Sequence, residues 1–504
     1  MNERLRAVCD LMVPVVREMA GRHEYDGRIQ DLSPDGVRRG LEALSRARRA
    51  AGPLESAHDE RHLTVFEEAQ RVQYGELELH RRDPYQHLSN LELACYDREY
   101  APRRERAKAR RKHLARWPEA VDGAVASLDQ VTAPVADALL GAVRGLAAGL
   151  DADEGPETAA ALAAHARLVA HIERAAEHGD PDPRLGGKAL AALMGSQEGL
   201  NVDLSALAAE ADRERVRLTD LLTDSCRALD RHRRVDELLP ELLADHPGAD
   251  GVIPEAARLT DEVIEFTRAR KLAPYVDGDC LVGPAPPSRR WAMAMMSWAA
   301  PAEADSASWY HVTPPEPDWP ADEREEWLTV FSRTSLPSIT VHEVAPGHFA
   351  HGRALRRAEG PVRRTLHSVS FAEGWAHYVE EVCLEEGFRA RDPRFAIGVA
   401  LEALVRVTRL TCAIGLHTGA LSLEDATRLF MRDAHLARAG AASEARRGTF
   451  DAAYGRYTWG KLEIMRLRER ARRARHFSLP RFHADLLALG SPPLGLLDGA
   501  LGAQ

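Results

Sequence analysis

Apolar residues recur at helical spacing through most of the first half of the chain. Residues 2–20, 34–50, 58–81, 103–117, 119–149, 157–178, 187–198 and 203–229 carry Ala, Leu, Arg and Glu in that pattern, interrupted by Gly-Pro, Asp-Pro or Asn signals. Ser33-Pro-Asp-Gly and Asp180-Pro-Asp-Pro mark loops or helix starts. No fixed-period repeat points to a solenoid. Near residue 275 the pattern changes. A turn-rich break at Pro284–Pro287 leads into two predicted strands, Trp291–Ala299 and Ser308–Thr313, around a polar loop at Pro301–Ser306. The pattern therefore predicts a mainly α-helical chain with one small β-sheet.

The chemistry concentrates just after that sheet, in Thr340-Val-His-Glu-Val-Ala-Pro-Gly-His348. Two imidazoles with a glutamate beside the first are the core of a zinc-hydrolase motif, in which the glutamate takes a proton from water. The second His comes six residues after the first. On an unbroken helix that spacing turns the chain by roughly 600° and leaves the rings about 120° apart, too far to share an ion. Pro346 lacks an N–H and clashes with the carbonyl four residues back, and Gly347 adopts dihedrals closed to other residues. The pair predicts a bulge or break that carries His348 back over His342. The competing picture is a helix ending at Ala345 with incidental histidines, and it explains neither Glu343 nor the next motif.

That motif is Phe371-Ala-Glu-Gly-Trp-Ala-His-Tyr378. Glu373, His377 and Glu380 are spaced i, i+4, i+7 and line one helix face. A carboxylate just before Gly-Trp, among aromatics, is no ordinary surface position, so Glu373 is assigned as the third metal ligand. For Glu381, Glu385 and Glu386 a solvated acidic face is the better expectation.

The run His-Glu-x-x-Pro-Gly-His followed by Phe-x-Glu-Gly-Trp-Ala-x-Tyr-x-Glu resembles the bacterial "domain of unknown function 885" family. That family is grouped with zincin-like metallopeptidases of the gluzincin type. Leu336-Pro-Ser338, Tyr457-Thr-Trp-Gly-Lys461, Leu467-Arg468, Phe482-His483 and Gly490-Ser491-Pro-Pro-Leu494 are similar too. The recognisable motifs cover roughly residues 285–500; the N-terminal half matches only in helical character and length. The resemblance implies a large helical zincin-like fold with a small sheet beside the active-site helix. It implies zinc on His342, His348 and Glu373, with Glu343 as general base. The position of His377 is apolar in the family's usual pattern, which leaves a fourth ligand or a hydrogen bond to the site open there. His351, one turn after His348, is a looser candidate. Residues 1–280 are expected to form one wall of a cleft and 281–504 the catalytic part, within one continuous unit.

Amide hydrolysis also needs a donor to the oxyanion of the tetrahedral intermediate. Tyr454 and Tyr457 are the candidates, and Arg456 between them could hold a substrate carboxylate bidentately. A buried aromatic with one hydrogen bond is the structural alternative for each tyrosine. The resemblance to zincin-like enzymes also implies that an edge strand of the small sheet pairs with an extended substrate backbone, where main-chain hydrogen bonds supply affinity without demanding a side chain; a plain structural hairpin is the alternative there.

Composition narrows the setting. Over 504 residues the net charge is −10, with both signs interspersed, which argues against a nucleic-acid partner. The Arg-rich stretch Arg103–Arg116 reads as a solvated helical face. No segment reaches the roughly 20 apolar residues of a membrane span, and no secretory signal is visible at the N-terminus. Six cysteines without a C-x-x-C pairing point to reduced thiols and a cytosolic location. The expectation is a zincin-like metallohydrolase acting on a peptide or small amide-containing substrate. Zinc is the expected metal, although ferrous iron or manganese suits the same ligands. Two other readings stand beside it: a metal-dependent biosynthetic enzyme acting on a small specialised metabolite, and a metal-binding scaffold without turnover. Glu343 argues against the scaffold.

Overall fold

Short polar residues start the helices that build the core. Asp203 accepts from the Ser205 and Ala206 amides to open α1 (Leu204–Leu229), and Ser368 accepts from the Phe371 amide to open α5 (Val369–Glu385). Between them lie α2 (Ala249–Arg270), α3 (Leu336–Glu343) and α4 (His348–Leu355). After α5, Asp392 caps α6 (Pro393–Thr418), which Gly419 ends in the left-handed region; α7 (Arg456–Ala471) and α8 (Leu479–Ala488) follow. This computed structural model describes residues 1–286, 289–290, 292–304 and 306–500.

The fold is mainly helical with one three-stranded sheet. Strand β3 (Ser308–Val312) is central, antiparallel to β2 (Ala294–Ser297) and parallel to β1 (Cys280–Gly283). The expected pair of strands is thus present in shortened form, and β1 is an addition that its four-residue length hid from pattern reading. Pro287, Trp291 and Asp305, which belong to the expected break, strand and loop, lie outside the described residues.

Several expected helices are divided. Residues 2–20 form two, Glu3–Asp10 and Val13–Met19, with Pro14 in the first turn of the second. The stretch 119–149 splits between Trp117–Ser127 and Ala133–Gly145, again with a proline in the first turn of the later helix. Proline tolerates that position because its missing N–H has no partner there anyway. The α-helical part of 58–81 ends at Gln70 and continues as a π-helical turn over Arg71–Glu76.

Packing does not divide the chain at residue 280. Leu218 and Val252 share an apolar core with Tyr310, Val341, Trp375 and Leu404, whereas residues 88–172 and most of residues 5–74 pack in clusters of their own. All six cysteines are unpaired. Among the described residues, no helix is long and apolar enough to cross a membrane.

The sheet and the helices meet at α3. The Tyr310 hydroxyl on β3 lies 3.3 Å from Thr340 Oγ1, and Trp375 Nε1 on α5 donates to the Pro346 carbonyl at 2.9 Å. Helices α5 and α7 cross with their backbones in contact. A Cβ on Gly374 would stand 2.5 Å from the Gly460 carbonyl carbon, and one on Gly460 would stand 2.0 Å from the Ser370 oxygen. Only glycine permits this approach. Beside the crossing, buried Lys461 pairs with Glu381 and, at 2.7 Å, with Glu214 of α1, while Arg217 bridges both carboxylates at 2.7 Å. Glu381 is therefore not on a solvated face as expected: it is 7% exposed and neutralised by two cations. Glu385 pairs with Arg468 at 2.8 Å.

Gly374→Ala should push α5 off α7 and lower stability by about 1–3 kcal/mol or more, the range for overpacked cores. Thermal unfolding of the metal-free protein measures this. A variant as stable as the parent would show that the crossing tolerates a methyl group.

Candidate metal centre

The Pro-Gly pair breaks the helix as its chemistry requires. After Glu343 the chain leaves the α conformation at Val344 (φ −102°, ψ −90°) and re-forms a helix at His348. The Gly347 amide donates to the Val341 carbonyl at 3.2 Å and the Ala350 amide to the Val344 carbonyl at 3.2 Å, each reaching six residues back. The chain is compressed there so far that a Cβ on Gly347 would fall 1.9 Å from the His342 carbonyl oxygen. The turn brings the two imidazoles together, ring centres 4.8 Å apart and planes perpendicular.

Glu373 of α5 completes the group. Its Oε2 lies 3.3 Å from His342 Nε2 and 3.3 Å from His348 Nε2, and one donor atom from each of the three residues falls within 4.8 Å of the others. Tetrahedral ligands about 2.0–2.1 Å from zinc stand about 3.3 Å from one another, so the donor set fits that ion. Its chemistry, two imidazoles and a carboxylate, also fits a site with an open fourth position. The Glu373 carboxyl is held well below the usual range: burial opposes this, and His348 and His342 outweigh it.

A second layer fixes His342. Its Nδ1 sits 2.7 Å from Glu380 Oε1, which leaves Nε2 to face Glu373 and the metal position. Glu380 is fully buried, and its other oxygen accepts from Arg406 at 2.9 Å and Ser338 at 3.3 Å. Burial works against the Glu380 charge, yet Arg406 and His342 hold its carboxyl well below the usual range. For His342 itself burial and Arg406 push down, but its hydrogen bonds to Glu373 and Glu380 raise it to about 9.

Glu343 ends α3 and is buried beside the cluster, its Oε2 without a hydrogen-bond partner among the described residues. Burial raises its carboxyl, against the pull of His348 and His342. Tyr457 is also near, its ring centre 6.5 Å from that of His342 with the planes 23° apart.

The remaining sequence candidates lie elsewhere. Tyr454 is fully buried in an apolar cluster with Cys412, Phe430 and Ala441, which corrects the expectation that either tyrosine could serve. Arg456 is occupied by Asp451 and, at 2.9 Å, by the Ala453 carbonyl, so it is a structural cation instead of a free carboxylate binder. His377 is not in the ligand group: its Nδ1 is 3.7 Å from Glu380 Oε2, and burial, with Lys461, pushes its imidazole down to about 4. His351 packs edge-on to Trp298 and Phe371 and is pushed down to about 3, chiefly by burial. Two participants went unrecognised in the sequence. Glu380 gave a signal, its i+7 spacing from Glu373, without revealing its partner. Arg406 gave none.

Two measurements test the centre. Glu380→Gln should weaken zinc binding by about 10–100-fold, the usual cost of losing a carboxylate behind a ligating His. Unchanged affinity in competition with a chromophoric chelator would remove Glu380 from the centre. Second, metal-free His342 is raised to about 9, so below that pH an incoming metal must displace its proton. Affinity should fall as pH falls, and zinc uptake at pH 7 should release about one proton from this group. Calorimetric titration in two buffers of different protonation enthalpy measures the number, and no release at pH 7 would contradict the assignment.

Comparison with known proteins agrees with the motifs. No curated protein matches the chain. Its fold is shared by solved structures, two of which follow. One, a candidate lipoprotein of unknown function from Shewanella oneidensis, aligns with a TM-score of 0.80 at 19% identity, covering 100% of this chain and 98% of that one. The other, a candidate lipoprotein from Colwellia psychrerythraea, aligns with a TM-score of 0.78 at 16% identity, covering 99% and 97%. The family model described as "Bacterial protein of unknown function (DUF885)" matches residues 14–501, and the chain belongs to that family.

Proposed function

We propose that the chain is a zinc-dependent hydrolase of peptide or other amide bonds, a zincin-like enzyme with Glu343 as its general base. The observation that carries this reading is the buried Glu343 carboxylate, whose Oε2 has no hydrogen-bond partner among the described residues although it stands beside the ligand cluster. Leaving a buried polar atom unpaired costs free energy, and a purely structural metal site gains nothing from it. A general base gains much, because a carboxyl raised by burial above its ordinary value takes up a proton more readily.

Zinc, when bound, supplies Lewis acidity and lowers the pKa of water to about 7. Glu343 takes a proton from the attacking water and delivers it to the leaving amine. Tyr457, beside His342, donates its hydroxyl proton toward the oxyanion. Glu380 and Arg406 hold His342 in one orientation. Among the described residues strand β2 pairs with β3 on one edge, and its other edge is the place proposed for an extended substrate backbone. The two imidazoles are buried, with His342 at 4% and His348 at 8% exposure, and Glu373 is part-buried, which favours short peptides or small amides over folded proteins.

Glu343→Gln should keep zinc and lose about 10²–10⁴-fold in turnover, whereas His348→Ala should lose the metal and leave the helical fold intact. Metal analysis and circular dichroism, with a screen of short peptides and acyl amides, separate the outcomes. If Glu343→Gln lost zinc as fully as His348→Ala, Glu343 would be a ligand and the mechanism would fall.

A further inference from the structure

Helix α2 ends differently from α6. Gly419 closes α6 in the left-handed region, which glycine adopts freely for want of a Cβ. After α2 that place is taken by Lys271, at φ 55°. A left-handed backbone strains a residue that carries a side chain, and attraction between the ammonium and the helix C-terminus offsets part of the strain. The next residue, Leu272, is buried, and its carbonyl accepts from His483 Nδ1 at 2.7 Å. Residues 273–277 then fold back past the helix end and are fastened there. Arg268 Nη2 donates to the Val276 carbonyl at 3.4 Å, and Asp277 pairs with Arg353 at 3.0 Å and Arg357 at 2.7 Å. The Arg357 guanidinium carbon also lies 4.3 Å from the Tyr275 ring centre.

Between this turn and Pro480, in the first turn of α8, lies a cavity of about 450 Å³. Arg268 and Lys271 both line it. Among the described residues neither has a carboxylate within ion-pair distance. Arg258, on the same helix, by contrast pairs with Glu255 at 2.7 Å and Glu262 at 2.9 Å. Asp277 is the one acidic residue in the cavity wall, and it is already taken by two arginines that lie outside the wall. Pro274, Pro480 and Tyr275, which is 37% exposed, supply apolar surface. The cavity therefore presents two uncompensated positive charges beside an apolar wall. None of His342, His348 and Glu373 lines it. It is nonetheless a neighbour of that cluster, since α4 runs from His348 to Arg353, roughly 7.5 Å of helix.

We infer that this cavity is a second binding site, for a small organic anion: a carboxylate or phosphate monoester carried on a flat apolar body. Arg268 and Lys271 hold the charged group, and Tyr275 with the two prolines packs against the body. A guanidinium offers paired donors that match either anion, and the ammonium adds a mobile point charge. Both attractions gain strength in a recess, where water screens them less. The wall is set before the ligand arrives, because two prolines and the pinned Asp277 have little freedom left to lose.

Isothermal titration of the full chain tests this, with benzoate, naphthoate and phenyl phosphate as anions and benzamide and naphthamide as uncharged counterparts. At low salt at least one anion should bind at a single site about tenfold or more tighter than the amides, the order of a charge-assisted hydrogen bond. Added salt should weaken it. The double variant Arg268→Gln, Lys271→Gln should lose the preference, and Tyr275→Ala should weaken anions and amides alike. Lys271→Gly, which relieves the left-handed strain, should lower anion affinity without lowering thermal stability. His348→Ala, in which the metal cluster is broken, should keep the preference. Anions that bind no tighter than the amides would overturn the site, as would a preference that survives the double variant. A preference lost in His348→Ala would place the anion at the metal cluster and overturn it equally.

Discussion

The contact of two helix backbones at Gly374 and Gly460 is the constraint on which the centre depends. Helix α5 carries Glu373 and Glu380, and α7 carries Tyr457 and Lys461. With no side chain between the helices, Glu373 and the Tyr457 ring are both held close to His342. The Lys461–Glu381–Glu214–Arg217 group fastens the same crossing to α1 by charge. Buried pairs of this kind add little net stability, because desolvation offsets attraction, but removing one partner is costly. Their effect here is to make one arrangement of α1, α5 and α7 much better than its neighbours.

The interior around His342 is rich in carboxylates. Glu343, Glu373, Glu380 and Glu402 gather near Arg406 and the imidazoles of His342 and His348, with Arg409 acting on Glu402 and His377 on Glu380. Without a further cation the balance shows strain in the proton affinities: Glu343 and Glu402 are both raised, first of all by burial, and His342 is raised to about 9. The metal ion proposed among His342, His348 and Glu373 would offset this negative charge and displace the His342 proton. The same field keeps Glu380 ionised behind His342, so ligand orientation and charge balance come from one set of groups.

Much of the centre was legible because its residues lie in short motifs whose geometry is local. Helical spacing put Glu373 and Glu380 on one face, and an interior Pro-Gly pair required the chain to break between His342 and His348. The reading failed where a partner comes from a distant segment. Glu381 looked like a solvated acid, because nothing local announces that Lys461 will be buried against it. Tyr454 and Tyr457, three residues apart, looked equivalent; one is in an apolar cluster and the other at His342, a choice made by the packing of α6 and α7.

The sequence by itself determined the helical character, the paired strands and the clustering residues His342, His348 and Glu373, since each follows from periodicity, turn chemistry or donor type within a few residues. It also determined the family, through motifs that hold nearly the whole donor set. Tertiary structure alone decided which charges are paired. Arg406 reaches Glu380, and Lys461 reaches Glu381 and Glu214, only because α1, α5, α6 and α7 pack together. Charge pairing acts through space over a few ångströms, and no spacing along the chain records which distant residues the fold will bring within that range.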